Sequence, residues 1–209
     1  QHSDHLGNRG TLTAGSVQWM TAGKGIVHSE MPKQQNGLLW GFQLWINLPA
    51  RLKMMPPRYQ DIPSDQIPEW KSNADVRVKV IAGTSNGTSG PVTDISTSPI
   101  YLDVTVPSGG RFEQEIPVGH NGLCYVFEGE GEFGATGSGV GTPIGSGRLA
   151  TLSDGDRVAV TATSTKVRFL LLAAKPIGEP VARYGPFVMN TRTEIMQAVE
   201  DFQSGAFKG

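Results

Sequence analysis

One cysteine, Cys124, stands among 209 residues. That excludes an intramolecular disulfide framework and any zinc site built on two or four cysteines. It favours a reducing compartment. No run of 18 apolar residues occurs, so no transmembrane helix is expected. Neither sign of charge is in surplus: 18 Lys and Arg stand against 19 Asp and Glu, a net charge of −1. General binders of nucleic acid or of anionic membranes carry a basic excess, so neither partner is expected. The polar start Gln1-His2-Ser3-Asp4-His5 lacks the apolar core of a signal peptide. A cytoplasmic location is the expectation, with the nucleus added in a eukaryote. Glycine and proline, by contrast, are abundant. The 27 glycines and 14 prolines make up about a fifth of the chain, against roughly 12% in average proteins. They are spread throughout, as tight turns between short strands would require, which predicts an all-β sandwich or barrel.

Strand patterns fall into two groups. The first holds residues 16–20, 25–31 and 38–48. The last of these, Leu38-Leu39-Trp40-Gly41-Phe42-Gln43-Leu44-Trp45-Ile46-Asn47-Leu48, is nearly all apolar and predicts a strand covered on both faces. Five prolines within 49–70 predict a linker packed over a surface. In the second group Val76, Val78 and Val80 alternate with Arg77 and Lys79, as in a half-buried strand. Residues 83–91 predict an exposed loop. Strands follow at 100–106, 110–116, 122–128, 148–152, 157–162 and 166–173, with a mobile glycine-rich loop at 134–147. A helix is signalled near the end. Thr191-Arg192-Thr193-Glu194 fits a capping box. Ile195, Met196, Val199 and Phe202 share a face, and Gly205 suits a C-cap.

The two groups echo each other. Leu12-Thr13-Ala14-Gly15-Ser16-Val17 parallels Leu152-Ser153-Asp154-Gly155-Asp156-Arg157-Val158, and a long apolar strand follows each. Two similar barrels in tandem are implied, with residues 1–48 the remainder of the first. The linker is then 49–74, the second barrel 75–190, and the helix and tail 191–209. The first barrel is short by several strands, so it is a fragment, is completed by another polypeptide, or the echo misleads. An open half-barrel would expose strand edges.

Chemistry concentrates in Ile26-Val27-His28-Ser29-Glu30-Met31. On a strand His28 and Glu30 point to one face. An imidazole and a carboxylate aimed into a barrel suit iron, manganese or a similar ion, although two donors need one or two more. A surface His–Glu pair on an edge strand is the alternative.

Longer motifs surround this pair. They are Leu6-Gly7-Asn8-Arg9-Gly10, Val17-Gln18-Trp19-Met20-Thr21-Ala22-Gly23, Gly25 to Pro32, Gln43 to Ala50, Met54 to Gln60, and Tyr184-Gly185-Pro186-Phe187-Val188-Met189-Asn190-Thr191. Together they resemble the pirin family of the cupin superfamily, in the family's order and over essentially the whole chain. The resemblance implies an all-β bicupin: two tandem cupin β-barrels, the first incomplete here, and a short C-terminal α-helix. It implies a mononuclear iron in the N-terminal barrel held by three histidines and a glutamate. Two of these ligands map onto His28 and Glu30. The other two form an H-x-H motif that this sequence lacks. The strands carrying that motif are expected before Gln1, which leaves half a metal site.

Several pirins resemble quercetin 2,3-dioxygenases, which implies a flavonol such as quercetin and O₂ as reactants, with Glu30 as base. Others bind protein partners as transcription cofactors, which keeps a non-catalytic, regulatory reading open. An inactive truncated form is the third reading. His2 and His5 are the only nearby histidines that might substitute as ligands. His120 is read as structural and the second barrel as metal-free. Trp19, Trp40, Trp45 and Phe42 are assigned to core or inter-barrel packing ahead of a flavonoid pocket. Cys124 is read as a buried inert thiol.

Overall fold

In a computed structural model of the chain, residues 1–34, 36–134, 141–163 and 165–206 are described. In chain order the first elements are β1 (His2–Asp4), β2 (Arg9–Gly10), β3 (Val17–Thr21), β4 (His28–Glu30), α1 (Ala50–Lys53), β5 (Arg58–Ile62), β6 (Glu69–Lys71) and β7 (Arg77–Ala82). A small hairpin, β8 (Thr84–Ser85) and β9 (Thr88–Ser89), precedes β10 (Ile100–Val106), β11 (Arg111–Glu115) and the long β12 (Asn121–Phe133). Then come β13 (Thr142–Gly145), β14 (Arg148–Thr151), β15 (Arg157–Thr161), β16 (Val167–Ala174), β17 (Ala182–Tyr184), β18 (Phe187–Met189) and α2 (Arg192–Ser204). Among the described residues no helix is long and apolar enough to cross a membrane.

Contacts divide the chain into two compact units. One holds residues 65–176, the other 1–64 together with 177–209. The final helix thus belongs with the N-terminal residues.

The 65–176 unit is a nine-stranded sheet running β11-β15-β12-β16-β10-β7-β6, with β13 and β14 also on β12. The alternation predicted for Val76, Val78 and Val80, all buried, is present, and it recurs in β10, where Ile100, Leu102, Val104 and Val106 are buried while the residues between them are partly exposed. β12 bends this sheet. Residues 123–126 pair with β14, residues 130–133 with β13, and the register to β16 slips between Val126 and Glu128. A bulge of this kind turns a strand. Gly129 follows it at φ +71°, where a Cβ would overlap the Lys166 carbonyl oxygen, so only glycine fits. The curled sheet brings its two end strands together. Trp70 of β6 stacks on Phe112 of β11 at 6.4 Å, and Phe112 meets the edge of Phe169 at 5.9 Å. Phe133 closes on Phe169 at 5.2 Å. Of the predicted loop 134–147, residues 135–140 lie outside the described residues, and 142–145 form β13.

The other unit contains the sheet β2-β1-β4, the pair β3-β5, the hairpin β17-β18 and α2. Residues 49–74, read from their prolines as a linker, are structured. β5 pairs with β3 from Val17↔Ile62 to Thr21↔Arg58, and β6 pairs with β7. Pro56, Pro57, Pro63 and Pro68 sit outside these strands, where a missing N–H breaks no ladder bond. Lys53, buried on α1, donates to Asn47 Oδ1 (2.7 Å) and to the Val188 carbonyl (3.0 Å). Burial pushes its amine down, and the charges of Glu179 and Glu194 oppose that. These bonds tie the C-terminal hairpin to the segment after Ile46.

The apolar run 38–48 forms no strand. Leu38 is 82% and Trp45 62% exposed, and Leu39, Trp40, Phe42, Leu44 and Ile46 are exposed as well. The expectation that Trp40, Phe42 and Trp45 pack in a core is corrected by the same observation. Composition gives a tendency, but a strand needs ladder partners. The echoing apolar run, β16, has β10 on one side and β12 on the other. No described strand pairs with 38–48.

Helix α2 is capped as its sequence predicts. Thr191 Oγ1 accepts from the Glu194 amide, Glu194 Oε2 accepts from the Thr191 amide, and Gly205 closes the helix at φ +79°. Replacing Thr191 with Ala should cost about 1 kcal/mol of stability, read by chemical denaturation. The Thr191 hydrogen bond lowers the Glu194 carboxyl, burial opposes it, and further backbone bonds and Lys53 add to the lowering. The contribution of Glu194 is therefore full above the ordinary glutamate range. It is lost as pH falls through its lowered folded value.

Candidate metal centre and its surroundings

β4 carries the two predicted donors. His28 Nδ1 lies 3.8 Å from Glu30 Oε1, with the side chains 29% and 55% exposed. β1 runs antiparallel beside them, pairing His2 with Glu30 and Asp4 with His28. Directly opposed residues share a face, so these four side chains line one side of the sheet.

The Leu6-Gly7-Asn8-Arg9-Gly10 motif is the turn between β1 and β2. Asp4 organises it, accepting from the Leu6 and Asn8 amides (both 2.9 Å) and from Asn8 Nδ2 (2.8 Å). Burial works to raise the Asp4 carboxyl but is outweighed by bonds from Asn8, Tyr59 and Leu6, which hold it low. Gly7 takes φ +89° at the tip. Gly10, opposite His2, leaves the space that the His2 ring fills: a Cβ there would overlap His2 Nε2.

Neither alternative histidine offers a free lone pair. His5 Nδ1 accepts from the Val27 amide at 3.1 Å, which leaves the ring proton on Nε2. His2 is buried against Tyr59, ring centroids 5.8 Å apart, with Nε2 2.6 Å from Gln18 Nε2. Among the described residues no group of three or more His, Cys, Asp or Glu could hold a metal. His28 and Glu30 supply two donors of suitable chemistry, but two donors do not close a metal site.

His120 sits in the other unit, in a turn closed by its amide on the Pro117 carbonyl at 3.1 Å. Burial pushes the Cys124 thiol up to about 12, so it is not a thiolate at neutral pH.

Gln18, Tyr59 and Asp61 join the site through strand pairing alone. β3 and β5 bring Gln18 opposite Asp61, and Gln18 Nε2 donates to Asp61 Oδ1 at 2.8 Å. Burial raises the Tyr59 phenol, and Asp4, Asp61 and Glu30 add to the rise, so it stays a protonated donor. Gln18, Tyr59 and Gln60 stood inside the sequence motifs, but the motifs carried no sign of their pairing.

Comparison with known proteins places these features. The pirin profile matches residues 1–46, and that of the pirin C-terminal cupin domain matches residues 101–208. A pirin-like protein of Caulobacter vibrioides is 46% identical over 99% of this chain and 73% of its own length. One from Solanum lycopersicum is 45% identical over 98% and 68%. The crystal structure of a quercetin 2,3-dioxygenase from Acinetobacter baumannii superposes with a TM-score of 0.85. That match has 33% identity and covers 99% of this chain and 71% of that one. On these matches and the cupin-like β architecture, the chain belongs to the pirin family of cupin proteins.

Proposed function

We propose that this pirin acts on a flavonol such as quercetin together with O₂, in the manner of a quercetin 2,3-dioxygenase. The observation that carries the reading is the convergence of His28 and Glu30 on one face at 3.8 Å. The likeness to the Acinetobacter dioxygenase over nearly the whole chain supports it. In this reading Glu30 accepts the proton of the flavonol 3-hydroxyl, leaving the enolate that reacts with O₂. Both oxygen atoms enter the ring-opened product, one ring carbon leaves as carbon monoxide, and the proton returns to the carboxylate released. A carboxylate serves as such a base when it reaches the hydroxyl within hydrogen-bond distance. His28 and Glu30 are the proposed donors to a single iron, which needs further ligands beyond these two.

Elemental mass spectrometry of the purified full-length protein tests the metal. Near-stoichiometric iron, lost in His28→Ala, supports the assignment. Iron retained unchanged in that variant, or no metal in a preparation that still consumes flavonol, sinks it.

The exposed apolar run 38–46 favours a second reading, a regulatory protein that binds a partner and turns nothing over. A tight partner complex without flavonol consumption would favour that reading over the first.

A further inference from the structure

We propose that Asn36-Gly37 is a site of spontaneous deamidation, at which the folded chain converts its own asparagine to aspartate and isoaspartate. The site needs neither a metal nor a substrate.

The chemistry calls for a glycine after an asparagine. The backbone nitrogen of the second residue must swing onto Cγ of the first. Glycine has no side chain to obstruct that approach and has the widest choice of backbone angles. Asn-Gly occurs at three places in the chain, 36–37, 86–87 and 121–122. The fold treats the three differently.

Asn121 and Gly122 open β12, opposite Ala174 and Ala173 of β16. The Gly122 carbonyl also accepts the Leu152 amide at 3.0 Å, and a Cβ at Gly122 would stand 2.8 Å from Leu152 Cδ1. In a pleated strand the amide lies in the plane of the sheet and the side chain stands out of it. Ring closure needs a backbone rotation that such a ladder refuses. Asn86-Gly87 is the two-residue turn between β8 and β9, with φ +45° and +74° at its two positions. A type I′ hairpin turn demands that pair of left-handed residues. Ser85↔Thr88 and Thr84↔Ser89 pair directly beneath it, so both dihedrals are held.

Asn36 and Gly37 lie outside every strand and helix, and both are exposed. Gly37 sits at φ +88° with no atom within 4 Å of the place a Cβ would take. Among the described residues no hydrogen bond holds the Asn36 side chain. Leu38 and Leu39, which follow, are exposed as well, so no packed side chain anchors the segment just beyond the pair.

The step balances without an oxidant or a cofactor. Hydroxide takes the proton of the Gly37 amide, the nitrogen adds to Asn36 Cγ, and the bond from Cγ to Nδ2 breaks. Nδ2 leaves as ammonia with a proton from water, which restores the hydroxide. A five-membered succinimide remains, and water opens one of its two carbonyl–nitrogen bonds. Opening at the side-chain carbonyl gives aspartate. Opening at the main-chain carbonyl leads the backbone through the side chain, as isoaspartate. Either product adds a negative charge just ahead of the exposed apolar run that starts at Leu38. An aged molecule therefore presents that run behind an acidic rim.

The test uses the full-length protein, aged at neutral pH and sampled over days. Trypsin cuts after Lys33, Lys79 and Arg111, so the three Asn-Gly pairs fall on separate peptides, 34–51, 80–111 and 112–148. Mass spectrometry should find NH₂ exchanged for OH in the 34–51 peptide at least about tenfold faster than in the other two, which must first open locally. An unchanged 34–51 peptide, or one that converts no faster than the others, overturns the proposal. Unfolding in urea should bring the three rates together. A gap that survives unfolding overturns the role given to the fold. Isoelectric focusing gives a second readout. An acidic satellite band should grow in the unaltered protein and be absent from Asn36→Gln, whose longer side chain closes its ring far more slowly. Gly37→Ala, which crowds the attacking nitrogen, should slow the band. A satellite that grows equally in either folded variant overturns the site.

Discussion

Flavonol-dependent oxygen uptake by the full-length protein should fall at least about a hundredfold when Glu30 is replaced by glutamine, the lower end of what a general base contributes. Glutamine keeps the size and the polar contacts of the side chain but accepts no proton. Glu30 lies on an exposed three-residue strand, so the fold should be untouched. Oxygen uptake by electrode, with flavonol loss followed in the same cuvette, separates a chemical defect from a binding one. Lost kcat at constant KM fits a proton acceptor. A raised KM with kcat intact would make Glu30 a binding group. Unchanged turnover would remove it from the chemistry altogether.

Phe169→Ala should be the most destabilising change in the 65–176 unit, by about 3–5 kcal/mol, as for other buried Phe→Ala changes. Phe169 is fully buried and meets both Phe112 and Phe133 edge-on. Those two rings come from β11 and β12, each paired opposite Val160 of β15, and Phe169 meets them from β16, so truncation opens a cavity in the middle of the aromatic cluster. Guanidinium unfolding followed by tryptophan fluorescence, with Trp70 close to this cluster, gives the measurement. A loss below about 1 kcal/mol would mean that the aromatic cluster contributes little to the unit, well short of the range for a buried Phe.

The legible parts of the sequence were those governed by local rules. Thr191, Glu194 and Gly205 announced a helix because capping acts within four residues. Val78 and Val80 announced a half-buried strand because the pleat repeats every two. His28 and Glu30 declared a shared face for the same reason. The run 38–48 misled because apolarity records what a segment would bury and not what is present to bury it. The prolines of 49–74 suggested a linker, yet β5 fits between them, since proline excludes only the positions that donate to a ladder. Gln18, Asp61 and Tyr59 were not legible as part of the site. Their places depend on the β3–β5 register across about 40 residues of chain, and no local pattern encodes that.

The division of the chain has a consequence for how it is made. Residues 65–176 emerge from the ribosome as one block, while the unit that carries His28 and Glu30 waits for residues 177–209. At about 5–20 residues per second, roughly 10–30 s separate the synthesis of β4 from that of α2. The second unit can fold in that interval on its own contacts. The first lacks the Val188 carbonyl that Lys53 bonds until the hairpin β17-β18 arrives. A nascent chain stalled near residue 176 should therefore hold the 65–176 unit folded and the other incomplete.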